Sequence, residues 1–116
     1  MDLADLRQRL RTFAAERDWE QFHSPKNLSM ALAAEAGELL ELFQWLTEEE
    51  SRALVTSGDD LARVREELAD ILIYLVRLAD QLGIDLEQAA LDKIAANAEK
   101  YPVGKARGRA TKYRDL

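Results

Sequence analysis

Two acidic steps carry the chemistry open to this chain: Glu35-Ala36-Gly37-Glu38 and Glu67-Leu68-Ala69-Asp70. Each sets two carboxylates three residues apart, and on an α-helix positions i and i+3 share a face. Two such helices side by side bring four carboxylates together. Like charges cannot converge in a low-dielectric place without a counter-charge. Oxygen ligands in that number suit a hard divalent cation: Mg2+, Mn2+ or Ca2+. Helical phase at roughly 100° per residue sharpens the first step. Leu28, Ala31, Leu32, Leu39, Leu42 and Leu46 make one apolar stripe, with Glu35 in its middle and Glu38 on its flank. A carboxylate at a core position must be paired, neutralised or bound to a cation. On the second helix, Leu61, Val64, Leu68, Leu72, Leu75, Ala79 and Leu82 read as the core stripe. Glu67, Asp70, Tyr74 and Arg77 fall on the opposite side, which alone reads equally as wet surface. Ile71 to Val76, however, is apolar almost all round, as in a helix covered on more than one side, and a second subunit is the expected cover.

The elements that must position these residues are all helices. Leu3, Leu6, Leu10 and Phe13 recur at helical spacing behind Asp2 as N-cap, which predicts a first helix to about Arg17. Asp18 to His23 form a linker, and Ser24-Pro25 supplies a cap and a first-turn proline for a second helix to about Leu46. Thr47 to Glu50 is a capping-box pattern for a short helix to about Val55. After Ser57-Gly58, Asp59 or Asp60 caps the helix that carries Glu67 and Asp70 and stops at Gly83. Asp85 with Gln88 starts a last helix to about Lys100. Lys105, Arg107, Arg109, Lys112 and Arg114 follow on a chain of low apolar content, expected to be a loose basic tail. No strand-period alternation or internal repeat occurs. The expected fold is all-α, a four-helix-bundle-like domain over residues 1–102 with one additional short helix, and a tail over 103–116.

At 116 residues the chain is long enough for one core. A net charge of −6, with acidic groups interleaved among basic ones, argues against general nucleic-acid binding, although a cation could still bridge a free nucleotide's phosphates to carboxylates. There is no cysteine, so disulfides, thiolate zinc sites and cysteine catalysis are excluded. With a single histidine, zinc is not expected. No apolar run reaches the roughly 20 residues of a membrane span, and the N-terminus does not read as a signal peptide, so a cytoplasmic protein with no membrane partner is expected.

Glu35-x-x-Glu38 and Glu67-x-x-Asp70 occur with Phe13-Ala-Ala-Glu-Arg-Asp-Trp-Glu-Gln-Phe-His23, Pro25-Lys-Asn-Leu28, Glu41-Leu-Phe-Gln-Trp45 and Glu66-Glu-Leu-Ala-Asp-Ile-Leu-Ile-Tyr-Leu75. In these stretches the chain resembles the all-α MazG-like nucleotide pyrophosphohydrolases, and more closely their dCTP pyrophosphatase branch. The resemblance runs from about Leu10 to Tyr113. It implies Mg2+-dependent hydrolysis of a nucleoside triphosphate to the monophosphate and diphosphate, with Mn2+ as a substitute, in a homo-oligomer, a tetramer in that family. It makes Glu35, Glu38, Glu67 and Asp70 the metal ligands, with Glu35 or Glu38 doubling as general base. It also puts Trp19, His23, Trp45 and Tyr74 around the nucleotide. By geometry alone Glu66, four residues before Asp70, could stand in for Glu67; only the family spacing prefers Glu67. Lys26, Lys93, Asn97 and Arg109 read either as phosphate contacts or as solvated polar groups. Trp45 reads equally as core, and His23 as a hydrogen bond that steadies its loop. A ferritin-like di-iron bundle is a rival, but it needs Glu-x-x-His pairs, and no histidine stands at positions 38 or 70. A non-enzymatic interaction module with surface acidic pairs is the other rival, and Glu35 in mid-stripe speaks against it.

Overall fold

The computed structural model describes residues 1–116, and it is all-helical. Its helices are α1 (Leu3–Glu16), α2 (Pro25–Phe43), α3 (Glu48–Ala53), α4 (Gly58–Gln81), α5 (Leu86–Lys100) and α6 (Val103–Ala106). Short 3-10 turns occupy Glu20–Phe22, Leu54–Thr56 and Tyr113–Asp115. The chain divides into two compact units, Met1–Gly83 and Ile84–Leu116.

Local chemistry sets the helix starts. Asp2 accepts from the Asp5 amide at 2.9 Å while the Asp5 carboxylate accepts from the Asp2 amide, and Thr47 and Glu50 make the same reciprocal box for α3. Ser24 Oγ accepts from the Asn27 amide at 3.1 Å with Pro25 in the first turn of α2. Asp85 caps α5 through the Gln88 amide. Three boundaries differ from the sequence expectation. Helix α2 stops at Phe43, because Gln44 and Trp45 enter a turn before the α3 cap. Helix α4 begins at Gly58, so Asp59 and Asp60 lie in its first turn, where carboxylates favour the helix dipole; Ser57 Oγ donates to Asp60 instead of capping. The expected loose tail carries α6 and a 3-10 turn, with the Tyr113 ring edge-on to Tyr101 at 6.0 Å and Lys100 over its face.

In the first unit, α2 and α1 both pack on α4. Leu28 and Ala14 are almost completely buried in these contacts, with Leu54, Val64, Val76 and Ala79 alongside. On α2 the inward face is the expected one: Leu28 is buried and Ala31, Leu32, Glu35, Leu39 and Leu42 are half-buried, as is Leu46 in the turn that follows. On α4 the expectation holds only in part. Val64 and Ala79 of the expected core stripe are buried and Leu75 is half-buried, but Leu61, Leu68, Leu72 and, just past the helix, Leu82 are exposed, whereas on the other side Glu67, Asp70 and Tyr74 are half-buried and Arg77 is 3% exposed. An arm of charges fixes α1 to α4: Arg11 donates through Nε to Asp80 at 2.7 Å and through Nη2 to the other oxygen. No helix is long and apolar enough to cross a membrane.

Candidate metal centre

Packing α2 against α4 sets the two acidic steps face to face. Glu35, Glu38 and Glu67 each offer a carboxylate oxygen, and these oxygens lie within 4.8 Å of one another. Oε2 of Glu35 and Oε2 of Glu67 are buried, and no donor reaches either. Buried carboxylate oxygens without donors are costly. The nearby Glu67 carboxylate, burial and the charges of Glu38 and Asp70 push the Glu35 carboxyl up to about 7. Asp70, one turn beyond Glu67 and half-buried, adds its charge to the cluster but stands outside the group of three.

These residues fit a hard divalent cation. Oxygen ligands at about 2.0–2.6 Å from an ion stand up to about 4–5 Å from each other, the spacing found here. The orphaned oxygens supply the lone pairs, and the raised Glu35 pKa reflects burial and the crowding of like charges that a cation would relieve. Glu66 lies outside the group; it lines an exposed cleft beside it with Glu38, Glu41, Leu42, Arg63 and Glu67.

The remaining candidate side chains of the first unit spread around the aromatic linker and the end of α2. Asp18 adopts φ +54°, a left-handed conformation that Asp tolerates, and Gln21 donates to both its carbonyl and its carboxylate. The chain is thereby turned back so that the Trp19 amide donates to Ala14 and its ring meets Phe13 edge-on at 5.8 Å and His23 at 6.4 Å. Tyr74 is half-buried on α4, one turn past Asp70; Lys26 is exposed at the start of α2. Trp45 is 86% exposed, so it is not a core residue of this chain. Lys93 and Asn97 on α5 and Arg109 after α6 are exposed residues of the second unit. Sequence reasoning passed over Arg77, whose Nε donates to His23 Nδ1 at 3.3 Å. Its place on the Glu67–Asp70–Tyr74 face was the available signal.

Fold and site together define an all-α protein with a divalent-cation type of acidic centre. A sequence profile of the MazG-like family matches residues 30–116. The chain is 54% identical to dCTP pyrophosphatase 1 of Bos taurus over 114 residues, 98% of this chain and 68% of that protein. It is 49% identical to dCTP pyrophosphatase 1 of Homo sapiens over 98% of this chain and 67% of that protein. A crystal structure of a pyrophosphatase from Archaeoglobus fulgidus matches with a TM-score of 0.79 at 38% identity, covering 85% of this chain and 91% of that one. This chain belongs to the MazG-like family.

Proposed function

We propose that this protein is a nucleoside triphosphate pyrophosphohydrolase that takes dCTP, or a modified deoxycytidine triphosphate, to the monophosphate and diphosphate with Mg2+ as cofactor and Mn2+ as substitute. The observation that carries the reading is the meeting of Glu35, Glu38 and Glu67 across two helices, with buried oxygens that no donor satisfies. The dCTP preference draws support from the likeness to dCTP pyrophosphatases over 98% of this chain and about two thirds of theirs. A house-cleaning role in the cytoplasmic nucleotide pool follows from that substrate.

Glu35, Glu38, Glu67 and Asp70 would hold the cation. Bound there, a divalent cation neutralises phosphate oxygens and makes water more acidic. The chain's own part is to position and to accept a proton. Water adds to the α-phosphorus, the bond to the diphosphate oxygen breaks, and the water's proton passes to a carboxylate oxygen of Glu35 or Glu38. Trp19 and Trp45, both partly or largely exposed, offer flat faces to the base, with His23 and Tyr74 as hydrogen-bonding neighbours. The phosphate-contact role of Lys26, Lys93, Asn97 and Arg109 is tested by KM in single alanine variants. Of the stretch Ile71 to Val76, Val76 is buried within the chain while Leu72 and Ile73 are exposed; with Leu61 and Leu68 they form the apolar surface of α4 that a second copy of the chain covers in a homo-oligomer, a tetramer.

The deciding experiment is a panel of nucleoside triphosphates with Mg2+, following both products. Monophosphate and diphosphate from dCTP in preference to the others is expected. Orthophosphate release, or no turnover of any nucleotide while Mg2+ leaves the melting temperature unmoved, sinks the reading.

A further inference from the structure

A neutral histidine carries one ring proton, and its position is decided by what each nitrogen faces. Nδ1 of His23 faces Nε of Arg77 at 3.3 Å. A guanidinium N–H keeps its proton in a protein and can only donate. Nδ1 is therefore the acceptor, and the proton of the neutral ring sits on Nε2. Burial and the Arg77 charge lower the His23 pKa from 6.5, against a smaller opposing effect of Glu20, so the ring is neutral at neutral pH.

Structural need does not account for Arg77. It is 3% exposed, yet its Nη2 has no partner, and its only carboxylate is Asp80, 3.5 Å from Nη1. Asp80 is already held through both oxygens by Arg11. A buried guanidinium left this incompletely satisfied is costly, and an apolar residue of similar length would fill the same space. Beyond the pair with an Asp80 that Arg11 already holds, what Arg77 does that an apolar residue could not is occupy Nδ1 of His23.

We propose that Arg77 is a positioning residue for nucleotide recognition: it fixes His23 as a neutral Nε2–H donor beside the Trp19 ring, set to meet a carbonyl oxygen or an unprotonated ring nitrogen of the base. The proposal rests on the reading above in which Trp19 and His23 meet the nucleotide. A base edge with an acceptor at that point is accepted. An edge with an N–H there is refused, because two donors would face each other in a half-buried place.

His23 is the sole histidine, so long-range proton–nitrogen NMR on the labelled full chain reads its tautomer without ambiguity. The expected parent pattern is a protonated Nε2 and a bare Nδ1, with a titration midpoint below 6.5. In Arg77→Met, which leaves Asp80 with both Arg11 bonds, both tautomers appear and the midpoint rises. Arg77→Lys, which keeps a donor, restores the parent pattern. Affinity for the product dCMP, measured by calorimetry and thus independent of turnover, falls roughly tenfold in Arg77→Met and recovers in Arg77→Lys. Should Arg77→Met not fold, His23→Gln, which places an amide N–H near the Nε2 position, keeps dCMP affinity, and His23→Asn, which mimics Nδ1, loses it. A protonated Nδ1 in the parent, or dCMP affinity unmoved in folded Arg77→Met or in folded His23→Asn, overturns the proposal. Absence of dCTP turnover by a parent that binds dCMP as expected counts against the hydrolase reading and not against the role of Arg77.

Discussion

Replacing Glu35 by glutamine in a metal-chelating buffer removes the carboxyl whose proton binding the fold perturbs most. The Glu67 carboxylate beside it, burial and Glu38 hold Glu35 at about 7, against 4.5 for an ordinary glutamate. Between those values the folded chain binds more protons than the unfolded chain, so this group's contribution falls as pH rises through the window. Fully expressed, the difference is worth about 3 kcal/mol, and solvent around a partly exposed carboxyl reduces it to about 1 kcal/mol. For a chain of 116 residues that is a fall in Tm of roughly 3–6 °C between about pH 5 and pH 8. Glu35→Gln, uncharged throughout, should match the parent at the acidic end and melt above it at the alkaline end. His23 and Asp80 have lowered pKa values and act in the opposite sense, their stabilisation being lost as pH falls; common to both proteins, they cancel in the difference. With Mg2+ the order should reverse, because cation binding needs the ionised carboxylate and stabilises by about 2.7 kcal/mol at one hundred times Kd. Thermal melts of both proteins across this pH range, in chelator and in millimolar Mg2+, are the assay. A gap between them that does not change with pH, or one that keeps its sign when Mg2+ is added, would refute the reasoning.

Glu38→Gln should leave chelated stability equal to the parent's or higher and slow diphosphate release from dCTP by roughly 100-fold or more; normal turnover removes Glu38 from the site. Trp45→Ala should change stability by less than about 0.5 kcal/mol, as suits a side chain 86% exposed, while raising KM with Mg2+ affinity unmoved, and loss of folding would contradict the exposure seen here. Asp80→Asn strips the carboxylate from Arg11 and from buried Arg77 and should cost about 3 kcal/mol in denaturant unfolding, which a cost near zero would disprove. Leu72→Lys on the exposed row of α4 should lower the mass seen by light scattering; an unchanged mass above that of the monomer means the subunits meet elsewhere.

The sequence made α2 readable because most of its leucines fall on one face, Met30 and Leu40 being exposed exceptions, so Leu28, Leu32, Leu39 and Leu42 shared one direction and Glu35 had to go with them. The caps at Asp2, Ser24, Thr47 and Asp85 were legible for a similar reason: each is satisfied by an amide three residues away. Helix α4 has apolar residues on more than one side, and periodicity cannot say which side meets the chain's own core. The face with Glu67, Asp70 and Tyr74 meets the α2 carboxylates and carries the Arg77–His23 contact, a long-range fact that no local window contains. The turn that ends α2 at Phe43 escaped because Leu46 continues the apolar spacing after the helix itself has stopped.

The clasp between Arg11 and Asp80 joins residues 69 positions apart. At synthesis rates of about 5–20 residues per second, α1 therefore waits about 3–14 s on the ribosome before its partner has been made, plus the time for that partner to clear the exit tunnel. During that wait the residues α1 later buries, Ala14 among them, have no α4 to pack on, and the capping box at Asp2 alone must keep a 14-residue helix that is marginal in isolation. Glu35 and Glu67 are separated by fewer residues than Arg11 and Asp80, so the acidic centre can assemble while the N-terminal helix is still undocked. A weakened clasp should accordingly show itself first in the amount of protein that survives synthesis, and only afterwards in the turnover of the molecules that fold.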